Sequence, residues 1–96
     1  MLATVRASLD DDKADDVVVI DLAGKSGIAD YMIVASGASK RQVGAMADHL
    51  LEKLRAIGVR SLGSEGMAHF DWVLIDAGDV VVHLFRPEVR AFYSLE

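Results

Sequence analysis

The stretch Tyr31 to Gly58, YMIVASGASKRQVGAMADHLLEKLRAIG, decides the fold class. It opens on Tyr31-Met32-Ile33-Val34-Ala35, an apolar and partly β-branched run that reads as a strand. Ser39 with Gln42 three residues on is a capping box: the Ser side chain accepts from one free backbone N–H while the Gln reaches back to another. Behind it Val43, Met46, Ala47, Leu50, Leu54 and Ile57 keep helical spacing for four turns. Lys53 and Arg55 lie in the last turns, where positive charge is favoured, and Gly58 supplies the stop. A strand that runs into a long helix and returns to another strand implies a right-handed crossover, and with it an α/β fold.

Upstream, Leu2, Val5 and Leu9 recur at three and four residues and predict a short amphipathic helix. It runs into Asp10, Asp11, Asp12, Asp15 and Asp16, whose charges oppose the macrodipole at a helix C-terminus and are expected to end the helix in an acidic loop. That loop reads as solvated, since calcium-loop spacing is absent. Val17-Val18-Val19-Ile20 has the pattern of a strand buried on both faces, and Gly24 to Gly27 a turn. Downstream, Leu62 to Ser64 is a short strand and Glu65 to Asp71 a loop. Trp72–Asp76 and Val80–Phe85 follow as two strands joined at Ala77-Gly78, a hairpin. Pro87 suits the first turn of a last helix with Val89, Phe92 and Tyr93 facing inward. The order α-β-β-α-β-β-β-α describes one α/β domain, residues 1–96, with a mixed sheet flanked by helices.

Composition narrows the function. Ninety-six residues allow one domain, with a core large enough to need no staples. Fifteen acidic residues against ten basic ones leave a net charge of −5, which disfavours a direct grip on nucleic acid and suits a basic partner. The absence of cysteine excludes a disulfide scaffold, a thiolate zinc site and a thiol nucleophile, and fits a cytoplasmic protein. Charged residues break every apolar run well below the ~20 residues of a membrane span. Met1 to Leu9 lacks the pattern of a secretory signal.

A two-residue loop at Ala77-Gly78 would set Asp76 opposite Asp79, Leu74 opposite Val81 and Trp72 opposite His83. Strand alternation then gives one aliphatic face, Val73, Ile75, Val80, Val82 and Leu84, suited to a core. The other face carries Trp72, Leu74, Val81, His83 and Phe85, and is either covered by a helix or left as an interaction patch. Asp76 and Asp79 are candidates for a magnesium pair, although aspartates beside a glycine turn more often bond its backbone N–H groups. His49 reads as a solvated helix residue and His83 as a half-buried strand residue, and no two of His49, His69 and His83 have metal-helix spacing. Gly37 to Arg41 precedes a helix N-terminus, yet it has no Walker or Gly-x-Gly-x-x-Gly pattern and the capping box already accounts for Ser39 and Gln42. No catalytic constellation emerges and no cofactor is implied. The reading that remains is a binding module, with a magnesium- and nucleotide-binding enzyme and a homodimeric scaffold as the alternatives.

Several segments also resemble a known family. Asp21 to Tyr31, Ser36-Gly37 with Ser39, Arg41, Gln42 and Val43, Leu62 to Gly66, Asp71 to Asp76 and Gly78 to His83 are similar, in order and spacing, to the ribosomal silencing factors of the Iojap family. The resemblance runs from Leu2 to Leu95. It implies an α/β fold shaped like nucleotidyltransferases without their catalytic residues, and a non-enzymatic role. It further implies binding to the large ribosomal subunit through ribosomal protein L fourteen, a block on joining of the small subunit, lowered translation, and homodimers when free. Residue by residue, Trp72 is the first candidate for the partner interface, with Asp76, Asp79 and His83 beside it. Asp30, Tyr31, Arg41 and Gln42 match the family pattern as well.

Overall fold

A computed structural model of the protein describes residues 1–22, 29–59, 62–66 and 72–88. Its elements run α1 (Leu2–Asp11), β1 (Asp15–Asp21), β2 (Tyr31–Ser36), α2 (Lys40–Ala56), β3 (Gly63–Glu65), β4 (Trp72–Asp76) and β5 (Val80–Phe85). Pro87 and Glu88 are helical, while the rest of the expected last helix and the expected turn at Gly24–Gly27 lie outside the described residues.

The five strands form one mixed sheet in the order β1-β2-β5-β4-β3. β2 and β5 are parallel neighbours in its centre, Tyr31 paired with Val80 and Ser36 with Phe85, and the other three pairings are antiparallel. Both helices pack on one side of the sheet. Val5 and Leu9 of α1, with Val43, Met46, Ala47, Leu50, Leu51 and Leu54 of α2, form a buried cluster with Ile33, Ala35, Val73, Ile75, Val80, Val82 and Leu84 from the strands. The aliphatic hairpin face is therefore the core face, and the protein is a small single α/β domain whose described residues form a helix layer on a sheet. No helix among the described residues is long and apolar enough to cross a membrane.

α2 starts and stops as its sequence predicts. Ser39 caps it, its Oγ accepting from the Gln42 N–H at 3.1 Å. At the other end Gly58 takes φ +89°, the Gly58 N–H donates to the Arg55 carbonyl and the Val59 N–H to the Leu54 carbonyl. This is the left-handed closing turn that glycine adopts without steric cost. The Gln42 side chain departs from the expected box: its Oε1 accepts from the Ala38 N–H at 2.7 Å, one residue before the cap. Its Nε2 donates to the carbonyls of Asp12 and Lys13, each at 3.2 Å. One amide thus satisfies the start of α2 and the end of α1.

Asp15 and Asp16 belong to β1 and not to the expected acidic loop, whereas α1 ends within the aspartates as expected. It continues to Asp11 and closes at Asp12, where His49 Nδ1 lies 3.0 Å from the Asp12 carboxylate and Lys53 Nζ 3.3 Å from Asp11. The Lys53 ammonium, the His49 ring and the Gln42 amide of α2 offset the repulsion that the acidic residues bring to this helix end. His49 is exposed, as expected, but engaged with Asp12 instead of simply solvated.

Two further expectations are corrected. Val17–Ile20 belongs to an edge strand, with Val17 40% exposed and Val18, Val19 and Ile20 half-buried, because among the described residues β1 has a strand neighbour on one side only. Its register slips between Asp15 and Val18, and Asp16 sits there at φ +49°. A bulge and acidic residues at an edge discourage pairing with another chain. The short third strand is Gly63–Glu65, one residue later than Leu62–Ser64, because its partners are Asp76 to Leu74.

Two stability predictions follow from the contacts around α1 and α2. Ser8 is fully buried on α1 between Val5 and Leu9, and its Oγ has no hydrogen-bond partner. Ser8→Ala removes an unpaired buried hydroxyl and raises helix propensity, so denaturant unfolding should show a gain of about 1 kcal/mol. Gln42→Glu keeps a capping-box residue but replaces the NH2 that donates to both carbonyls with a single acceptor oxygen facing them. It should cost about 1–2 kcal/mol in the same assay, whereas a box confined to α2 would leave stability unchanged.

Candidate partner-binding face

The β4–β5 hairpin turns at Gly78-Asp79, one residue later than expected. The Ala77 N–H donates to the Val80 carbonyl at 2.9 Å, and Gly78 takes φ +87°. A tight hairpin with positive φ at its first central residue requires glycine there, which selects Gly78 over Ala77. The register is therefore Asp76 with Val81, Leu74 with His83 and Trp72 with Phe85. Asp76 does not face Asp79, and Trp72 does not face His83. Because the slip moves each partner by two residues, every side chain keeps its expected side of the sheet.

The two aspartates have separate structural tasks. Asp76 Oδ1 accepts from the Gly78 N–H at 2.9 Å, the turn-stabilising bond that aspartates make two residues ahead. Asp79 lies in the turn itself, and its carbonyl accepts from the backbone N–H groups of Asp30 at 2.8 Å and Tyr31 at 3.1 Å. The hairpin tip is thereby fastened to the start of β2. No group of three or more Asp, Glu or His is arranged as a metal site among the described residues.

Trp72, His83 and Phe85 form an aromatic group on the side of the sheet away from the helices. Their rings are nearly parallel: Trp72 and Phe85 are 5.8 Å apart between centroids at 3°, His83 and Phe85 6.1 Å at 7°, and Trp72 and His83 6.0 Å at 10°. Parallel rings at this distance are offset, the favourable arrangement for quadrupoles. The Trp72 indole N–H donates to His83 Nδ1 at 3.1 Å, diagonally across the hairpin. Phe85 is fully buried, and Trp72 and His83 are half-buried. Burial pushes the His83 imidazole below its ordinary value of 6.5, so the ring is neutral at pH 7. With Nδ1 accepting, the proton sits on Nε2.

Beside the rings the surface is concave and apolar. Leu22, Ala29, Met32, Leu74 and Val81 line a hollow of about 300 Å³, with Asp76 and His83 as its polar groups. Across Leu74 a smaller hollow of about 170 Å³ lies between Glu65, Gly66 and Trp72. The sequence reading named Trp72, His83, Leu74, Val81 and Phe85 on this side. It missed Met32 and Leu22, since only the pairing of β2 with β5 brings them to the hairpin. Of the other family-pattern residues, Asp30 and Tyr31 meet the turn through their backbone, whereas Arg41 and Gln42 belong to α2.

Gly66 shows how tightly β3 is drawn to this face. It adopts φ +82°, and a Cβ there would strike the Trp72 carbonyl. Gly66→Ala should lower stability by more than about 1 kcal/mol and shift the emission of Trp72, the chain's single tryptophan.

Comparison with known proteins places this architecture. Residues 1–96 match the family model described as "Ribosomal silencing factor during starvation". The ribosomal silencing factor RsfS of Zymomonas mobilis is 55% identical over 96 residues, covering 100% of this chain and 72% of that protein. A crystal structure of a Chromobacterium violaceum protein superposes with a TM-score of 0.95 at 42% identity, covering 99% of this chain and 79% of the other. A mouse protein named mitochondrial assembly of ribosomal large subunit protein 1 is 34% identical over 88 residues, 88% of this chain and 39% of its own length. The aromatic hairpin and its two-layer support belong to a member of the ribosomal silencing factor (Iojap) family.

Proposed function

We propose that this protein represses translation by binding the large ribosomal subunit through ribosomal protein L fourteen and standing where the small subunit would dock. The observation that carries this reading is the family match along the whole chain. The mouse relative, whose name refers to the ribosomal large subunit, supports the choice of subunit. A net charge of −5 suits a basic ribosomal protein, because opposite potentials speed encounter and select orientation. Binding takes place in the cytoplasm, with the free protein a homodimer.

The docking face in this proposal is the aromatic side of the hairpin. Trp72 is its anchor, His83 lies against it, and Asp76 and Asp79 add negative charge at the tip. Tryptophan is favoured at interface centres because it offers a large apolar area with one hydrogen-bonding edge. The role is non-enzymatic and needs no cofactor. Supporting this, Asp76 is committed to the turn and does not converge with Asp79, and Ser39 Oγ already accepts from the Gln42 N–H in the first turn of α2.

Co-sedimentation with purified ribosomal subunits tests the proposal. The protein should pellet with large subunits and not with small ones, and its addition should reduce the joined fraction. Trp72→Ala should weaken that association about thirtyfold, the effect of losing an interface anchor worth about 2 kcal/mol. Unchanged pelleting of a folded Trp72→Ala protein would remove Trp72 from the interface, and failure of the wild type to pellet would refute the ribosomal reading.

A further inference from the structure

The contact between Trp72 and His83 lies within the proposed docking face and imposes a condition on it. The indole N–H can only donate, so the atom opposite it must be able to accept. Nδ1 of His83 meets that requirement only while the imidazole is neutral. Protonation would set two N–H groups against each other across 3.1 Å and remove the bond. We infer that His83 is a positioning residue that orients the Trp72 indole for docking, and that its protonation releases the indole and makes the face acid-sensitive. This rests on the ribosomal reading for its consequence, but the hold of His83 on Trp72 is a property of the free protein.

The surroundings of His83 set the direction. β4 places Leu74 directly opposite it and contributes Trp72 and Asp76, and β2 places Val34 beside it. The hollow next to it is lined by Leu22, Ala29, Met32 and Val81, and the Phe85 ring stacks on the imidazole itself. Asp76 is the one other ionisable group lining that hollow among the described residues, and Glu65 borders Trp72 from β3. A carboxylate would favour the charged ring, and the apolar burial opposes it. Burial prevails, and the native pKa is lowered from 6.5. The unfolded chain therefore binds the proton first, so the neutral contact is intact above pH 6.5 and is lost as pH falls through the lower native value.

The test combines the emission of the one tryptophan with subunit binding. Wild-type emission and acrylamide quenching should change together in a single transition with a midpoint below 6.5. His83→Gln retains an acceptor without a proton-dependent state, so its emission should be flat over the same range. In co-sedimentation, wild-type affinity for large subunits should fall roughly tenfold between about pH 7.5 and the acid side of the emission transition, the weight of one hydrogen bond. His83→Gln should bind equally at both values, and His83→Phe, a ring with no acceptor, should bind weakly at both. Flat wild-type emission, the same transition in His83→Gln, or full binding by His83→Phe overturns the inference. Should no protein pellet with large subunits while the emission titrates as described, the ribosomal reading falls and the hold of His83 on Trp72 stands.

Discussion

Parallel strands cannot be joined by a hairpin, so pairing β2 with β5 in the centre of the sheet sends the chain between Ser36 and Val80 out of the layer and back. α2 uses that excursion to cover one side, and β4 returns beside β5. The junction is tight. Gly37 donates its N–H to the Phe85 carbonyl, and a Cβ on it would press on Val43 and Met46 of α2. From the hairpin side, the Asp79 carbonyl ties the β4–β5 turn to the first residues of β2. The same pairing brings Met32 of β2 beside Val81 and so shapes the hollow of the opposite face.

The two sides of the sheet consequently differ in what they demand. The helix side is filled by Val, Leu, Ile and Met side chains, whose burial supplies the main stabilisation. The other side carries rings held by orientation as well as burial: parallel planes, an indole N–H with an accepting nitrogen, and a glycine that lets β3 approach the Trp72 carbonyl. In the proposed docking, fixing the Trp72 ring before a partner arrives would lower the ordering cost of association. The acidic residues around Asp10 to Asp16 serve the fold first, since Asp11 and Asp12 engage Lys53 and His49 of α2.

Much of this was legible from local pattern. The capping Ser39, the stripe Val43 to Leu54 and the closing Gly58 are local signals, and α2 formed between them. The division of hairpin residues into an aliphatic and an aromatic side was also correct, because strand alternation survives a register slip of two. The opposition of Asp76 and Asp79 did not hold. It depended on which residue occupies the first position of a tight turn, and that position went to the residue able to take positive φ, Gly78. Likewise, β-branched Val17 to Ile20 signalled a strand but not its place at the edge, since hydrophobicity does not record how many neighbours a strand finds.

The amino-acid sequence by itself determined the α/β class, the long capped helix, the core side of the hairpin and the family, because each is written in spacing or in motif order within a continuous stretch. Tertiary structure alone decided that Gln42 joins two helix ends, that β2 lies parallel to β5, and that Trp72 bonds His83 while pairing with Phe85. Those outcomes depend on groups far apart in the chain meeting with their donors and acceptors matched. Local periodicity carries no record of such meetings. Packing two layers around one core does, because it leaves few arrangements in which the buried polar groups find partners.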